Sequence, residues 1–253
     1  MLKQILCGIF ILCAGLASLS AFGAGNSHQH LAIEPQAEEL LGQMAAFLND
    51  LSQFTFRAET TEDRLLSSGQ KLQFAQTVGV AVRRPNRFRI DIRGDVYNQQ
   101  LFFDGEVITL LDTNRNYYGT LKAPSPIESA LDHGIESFGL HAPLADFIRR
   151  NDGFVNLPPY IESALYVGLH DVDGVPCHHL AFRQDDVDWQ IWIENSDTPV
   201  PRKIIITQKH VTGAPQFSAL ISDWTLAPHL PDNHFTFEPP QDAKKIQFLP
   251  VDE

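Results

Sequence analysis

Cysteine is nearly missing from this chain of 253 residues: there are three, and Cys7 and Cys13 both stand close to the start. With Cys177 as the remaining thiol, no internal disulfide is available after that start, so the fold must rest on its core. Methionine is scarce as well, at two, against 17 phenylalanines, so stiff rings rather than flexible thioethers fill the interior. Positive charge is short. Only 19 Lys and Arg face 31 Asp and Glu, a formal net charge of −12, which argues against a phosphate backbone and so against nucleic acid as partner. Beyond the N-terminal stretch no apolar run reaches the roughly 20 residues that a membrane span needs. Gly-x-Ser-x-Gly, Walker and Gly-x-Gly-x-x-Gly loops are absent too, which removes the commonest hydrolase and nucleotide-binding signatures.

What is present begins with an export signal. Lys3 precedes the apolar run Ile5 to Leu19, and Ala21 and Gly23 are small residues at the −3 and −1 positions of a cut. The expectation is a signal peptide over 1–23, a flexible leader over 24–33 and one domain over 34–253, placed in the periplasm. Leu12, just before Cys13, is too bulky for a lipoprotein processing site, so no lipid anchor is expected. Contact with a membrane would be peripheral.

From Glu34 to Phe54 the apolar residues Leu40, Met44, Phe47, Leu48 and Leu51 recur at helical spacing, with Pro35 near the start where its missing N–H costs little. From Thr55 the period changes to two. Leu72, Phe74, Val78, Val80 and Val82 share one face of a long strand, and Phe88, Ile90 and Ile92 alternate with Arg87, Arg89, Asp91 and Arg93 in the next. Asp104-Gly105 and Val172-Asp173-Gly174 read as hairpin turns. Between them, residues 124–164 read as a helical insert: Ile127 to Gly134, Leu144 to Arg150 and Pro159 to Ala164. Strands resume over 165–170, 178–183, Trp189 to Glu194, Lys203 to Lys209, Gln216 to Trp224 and Phe235 to Phe237. Strand, turn and strand without intervening helices mean an antiparallel meander. A sheet that long curls. The fold class is therefore mainly β (α+β): one highly curved antiparallel sheet, an unclosed β-barrel of about 11 strands, with helices plugging its concave side.

No catalytic set converges. His178 and His179 are neighbours on a strand, so their rings emerge on opposite faces and cannot share a metal ion without a bulge. His28 and His30 fall in the leader, and Asp185-Asp186 sits at a hairpin tip as a solvated turn. No metal site, no cofactor and no enzymatic activity are expected. The weak exception is Cys177 with His179 as a thiol–imidazole pair.

The segments Lys71-Leu72-Gln73-Phe74, Val80 to Ile90 (VAVRRPNRFRI), Phe103 to Asp112 (FDGEVITLLD), Val172 to Arg183 (VDGVPCHHLAFR), Val187 to Glu194 (VDWQIWIE) and Phe235-Thr236-Phe237-Glu238-Pro239-Pro240 together resemble an uncharacterised family of predicted periplasmic proteins. That family is related to the LolA/LolB lipoprotein carriers, and the resemblance spans nearly all of 34–249. It implies an unclosed barrel with a helical lid whose apolar interior holds a lipid or a lipoprotein acyl chain. The same fold also implies an alternative, a periplasmic sensor that binds an envelope protein, as in the RseB-like branch. The family carries no shared catalytic residues.

For the carrier reading, strand parity selects the lining. On Trp189 to Glu194, Ile191 and Ile193 share a face with Trp189, while Gln190 and Glu194 lie with Trp192, so Trp189 and Ile191 point inward. Phe103 and Leu110 are the corresponding candidates in the first half. Phe138, Leu140 and Leu144 in the insert are candidates for a lid over the opening. Against a ligand stands a barrel filled by its own Phe and Leu side chains, and the test is an interior cavity of a few hundred Å³.

Overall fold

The computed structural model describes residues 33–150 and 157–251. The export signal over 1–23, its cut after Gly23 and the leader up to residue 32 lie outside the described residues. Ile33 forms a parallel bridge with Ala164 and leads into helix α1 (Pro35–Asp50). Pro35 occupies the first turn, and Ala37, Leu41, Met44, Ala45 and Leu48 are the buried stripe. The helix stops four residues before the Phe54 that the periodicity predicts. Phe54 and Phe56 are taken instead by strand β1 (Gln53–Leu65), where they pair with Val82 and Val80 of β2 (Lys71–Arg83). Non-local pairing overrides helical spacing there.

β3 (Arg87–Gly94), β4 (Asn98–Phe103), β5 (Val107–Asp112) and β6 (Tyr117–Lys122) continue the first meander. Helices α2 (Ile127–Phe138) and α3 (Ala145–Ile148) follow. The second meander is β7 (Ser163–Val172), β8 (Val175–Arg183), β9 (Val187–Glu194), β10 (Pro201–Gln208) and β11 (Gln216–Thr225), and a short strand β12 (Lys244–Ile246) ends the series. β1 and β11 pair side by side and join the two meanders into one sheet of order β12-β6-β5-β4-β3-β2-β1-β11-β10-β9-β8-β7. The sheet does not close: β7 and β12 remain edges. Among the described residues the sheet has twelve strands, in line with the about eleven expected, and β12 runs parallel to β6, unlike the other strand pairs.

Two expectations for the chain after β6 are corrected. Residues 159–164 are not a helix, because Ser163 already enters β7. Phe235 to Phe237 is not a strand: Phe235 follows a short 3₁₀ turn (Asp232–His234) and buries its ring on the far side of the sheet beside Ala81 and Leu230. The Arg83 guanidinium lies over that ring at 5.2 Å and pairs with Asp232, so one aromatic docks where a ladder was expected. The turns follow the sequence. Asp173 and Gly174 both have positive φ between the paired Val172 and Val175, which is the two-residue hairpin geometry that Asp-Gly favours. At Asp104 the carboxylate accepts the N–H groups of Glu106 and Val107, and Gly105 has φ +105°.

Alternation sorts each strand into two faces. Phe54, Val80, Val82, Phe88, Ile90, Leu101, Phe103 and Ile108 on one half, and Leu180, Phe182, Trp189, Ile191 and Ile193 on the other, belong to one contiguous core. Helix α1 covers the β7–β9 end of this face, and α2 meets β5 where Gly134 lies close to Ile108 and Leu140. Among the described residues no helix is long and apolar enough to cross a membrane.

Candidate functional site

The helix-covered face of the sheet is a hydrocarbon wall. Phe103 is fully buried against Phe88, with ring centroids 5.4 Å apart. Trp189, 2% exposed, stacks on Phe182 at 4.0 Å and 14°, and Ile191 is buried beside them. Leu110, opposite Leu101 in the β4–β5 ladder, is half-buried against the same core. The insert reaches this wall through Leu140, Leu144 and Phe138. Gly139 ends α2 in the left-handed conformation, and the Leu140 N–H donates to the Gly134 carbonyl (3.1 Å), which turns Leu140 back onto the core. Leu144, at φ 61°, opens α3 and is buried as well. Phe138 is half-buried, edge-on to Phe248 at 6.3 Å. The predicted wall and lid residues therefore meet on one core, with the helices' own side chains lying against the wall.

Charge gathers where the insert meets β2, at a position that strand reading treats only as the break before Pro85. Val78, Val80 and Val82 face the core, and continuing their parity by one step puts Arg84 on the same side, a signal the sequence did contain. Its side chain is 4% exposed, stands 5.6 Å above the Phe54 ring and lies 3.6 Å from Glu128 of α2. Burial pushes its pKa down to about 10, opposed by Glu128. Arg149, 5% exposed, donates from Nη1 to Asp132 (2.8 Å), with Asp146 3.7 Å from its Nε. Burial pushes the Asp146 carboxyl up to about 6 against the pull of Arg149.

The thiol–imidazole pair does not form. Cys177 and His179 lie two residues apart on β8, on the face away from the core, where Cys177 packs with Val172 and Trp192. Both ring nitrogens of His179 are engaged elsewhere, Nδ1 with His170 and Nε2 with Gln190, each at 3.0 Å. The ring also stacks on Trp192 at 3.9 Å. The thiol donates to the Val175 carbonyl (3.3 Å), and burial raises its pKa to about 11, the wrong direction for a nucleophile. Among the described residues no three His, Cys, Asp or Glu side chains are grouped to hold a metal ion.

A cavity of about 300 Å³ lies on the other side of the sheet, between β3–β5 and the C-terminal segment, with Arg89, Gln100, Phe102 and Phe237 among its walls. Its sheet-side polar groups are already engaged: Arg89 donates twice to Asp91 (2.9 and 3.0 Å), and Gln100 donates to the same carboxylate (2.7 Å). That leaves little for a ligand to recognise.

Several solved structures are similar to this chain. An uncharacterised conserved protein from Thermus thermophilus is 12% identical with a TM-score of 0.48, covering 84% of this chain and 99% of that one. LprF from Mycobacterium bovis is 13% identical with a TM-score of 0.47, covering 84% and 99%. A LolA superfamily protein from Nitrosomonas europaea is 12% identical with a TM-score of 0.36, covering 79% and 97%. No curated protein matches the chain. The profile of a family described as predicted periplasmic protein (DUF2092) matches residues 37–249.

Proposed function

Because the chain belongs to that family of predicted periplasmic proteins, we propose that it is a non-enzymatic carrier or chaperone that holds a lipid or a lipoprotein acyl chain against the core face of its unclosed sheet. The supporting observation is the wall itself. Hydrocarbon runs from Phe103 and Leu110 to Trp189 and Ile191, with α1 over the β7–β9 end and the α2–α3 insert meeting it at β5. An acyl chain that displaces Leu140, Leu144 and Phe138 replaces one apolar contact by another, so lid opening and chain burial nearly offset. Each methylene taken from water contributes ~0.8 kcal/mol, before the cost of association is subtracted. Native mass spectrometry of protein purified from an envelope fraction tests the reading. The expected spectrum carries a lipid-sized adduct, and delipidated protein regains one with fatty acid or lipopeptide. A bare mass under both conditions refutes it.

A second reading has its own observation. Edge strand β7 exposes Leu165, Val167 and Leu169; Ile33 and Glu34 occupy its edge only at Ala164 and Tyr166, and the edge beyond them, with apolar side chains, suits strand addition by a partner protein. A pull-down that recovers one defined envelope protein irrespective of lipid, and loses it in the L165D/L169D variant, would favour this sensor role.

A further inference from the structure

The Arg84 guanidinium is a buried cation whose donors are unused. Nε, Nη1 and Nη2 are all shielded from solvent and none has a hydrogen-bond partner. The neighbouring acid does not supply one: Glu128 Oε1 is 3.6 Å from Nη1, beyond hydrogen-bond reach, and accepts the Arg150 backbone N–H at 2.7 Å. A planar fork of five donors matches a carboxylate or phosphate in two-point contact, and leaving it unmatched in the interior is costly. Its surroundings favour negative charge. Helix α2 begins beside it, with no side-chain cap at Pro126 and with its Ile127 N–H donated to the Pro85 carbonyl, and the Arg150 charge acts on the same spot. Phe54, itself part of the core, ties the guanidinium to the start of the hydrocarbon wall.

We propose that Arg84 is the seat for the anionic head, a carboxylate or a phosphate, of an amphiphile whose chain lies on the core face of the sheet. This rests on the carrier reading and narrows it to negatively charged ligands. Burial lowers the Arg84 pKa only to about 10, so the group is a cation at neutral pH. Glu128 is the carboxylate that an incoming head must outcompete.

The test uses the delipidated full chain and three probes with the same chain length: palmitate, hexadecyl phosphate and the neutral methyl palmitate. At least one anionic probe should bind roughly tenfold or more tightly than the ester, in line with a charge-assisted hydrogen bond. Whichever anionic probe wins names the head. The R84M variant should bring that probe down to the ester's affinity, and E128Q should strengthen it. Equal binding of all three probes, or a preference that survives in R84M, overturns the seat while leaving the carrier reading intact. Failure of every probe to bind refutes the carrier reading instead. A lipid-free measurement still judges the seat in that case. Sodium phosphate, compared with chloride at equal ionic strength, should raise the melting temperature of the wild type and not that of R84M. An identical response of the two chains overturns the proposal.

Discussion

Replacing Asp146 by Asn should change how stability depends on pH. Asp146 stands in α3 with its side chain 14% exposed and one oxygen 3.7 Å from Arg149 Nε. Burial raises its pKa from 3.8 to about 6; Arg149 pulls it back and Asp132 adds to the rise. A carboxyl with a raised folded pKa binds its proton more tightly in the folded chain than in the unfolded one. Its contribution to stability is complete below the unfolded value and is lost as pH rises through about 6. The interval is about 2 pH units. At about 1.36 kcal/mol per unit, the ionised carboxylate costs the folded chain up to about 3 kcal/mol relative to its protonated form. The amide does not titrate, and Arg149 keeps its 2.8 Å bond to Asp132 in either chain. The unfolding free energy of the wild type minus that of D146N should therefore fall by about 2–3 kcal/mol between pH about 4 and about 7.5. Urea melts followed by tryptophan fluorescence at intervals across that range measure it. A difference that stays level, or that grows with pH, would refute the claim that burial dominates Arg149 at this carboxyl.

Phe182→Ala, which removes the ring stacked on Trp189, should cost about 3–5 kcal/mol in a denaturant melt; a loss under about 1 kcal/mol would mean the core face is loosely packed. Gly94→Ala puts a methyl 2.3 Å from Gln76 Cβ and 2.5 Å from the Ala75 carbonyl oxygen and should destabilise by about 1–3 kcal/mol. Gly79→Ala meets nothing nearer than Asp91 Cβ at 3.9 Å and should gain about 0.4–1 kcal/mol by restricting the unfolded chain. If the two variants melt alike, the β2–β3 register is wrong. The Cys177 thiol, buried with its pKa raised to about 11, should resist a disulfide reagent in native buffer and react stoichiometrically in urea. Prompt labelling of the folded chain would restore it as a candidate nucleophile.

Local alternation is a property of a few consecutive residues, and it was legible wherever it governed the outcome. Phe88, Ile90 and Ile92 are buried as their period requires. Trp189 and Ile191 face the core while Trp192 packs on the other side with Cys177. The Asp173-Gly174 turn follows from residues tolerant of positive φ. Where long-range packing competed with a local pattern, the pattern misled: Phe54 left its helical register for β1, and Phe235 left a strand-like triplet to cover Ala81.

By itself, then, the sequence determined most of the strands, though not β12, the start of β7 or the segment 235–237, and which of their faces are oily, because side-chain direction is set by the backbone within two residues. Only the tertiary structure decided that β1 lies beside β11, a junction sealed by Thr61 and Ser218 from positions 157 residues apart, and that β12 runs parallel to β6. It alone placed Arg84, Glu128 and Arg150 together at the foot of α2. Pairing partners and charge clusters arise from segments remote in the chain, whose meeting depends on the energy of the whole assembled sheet.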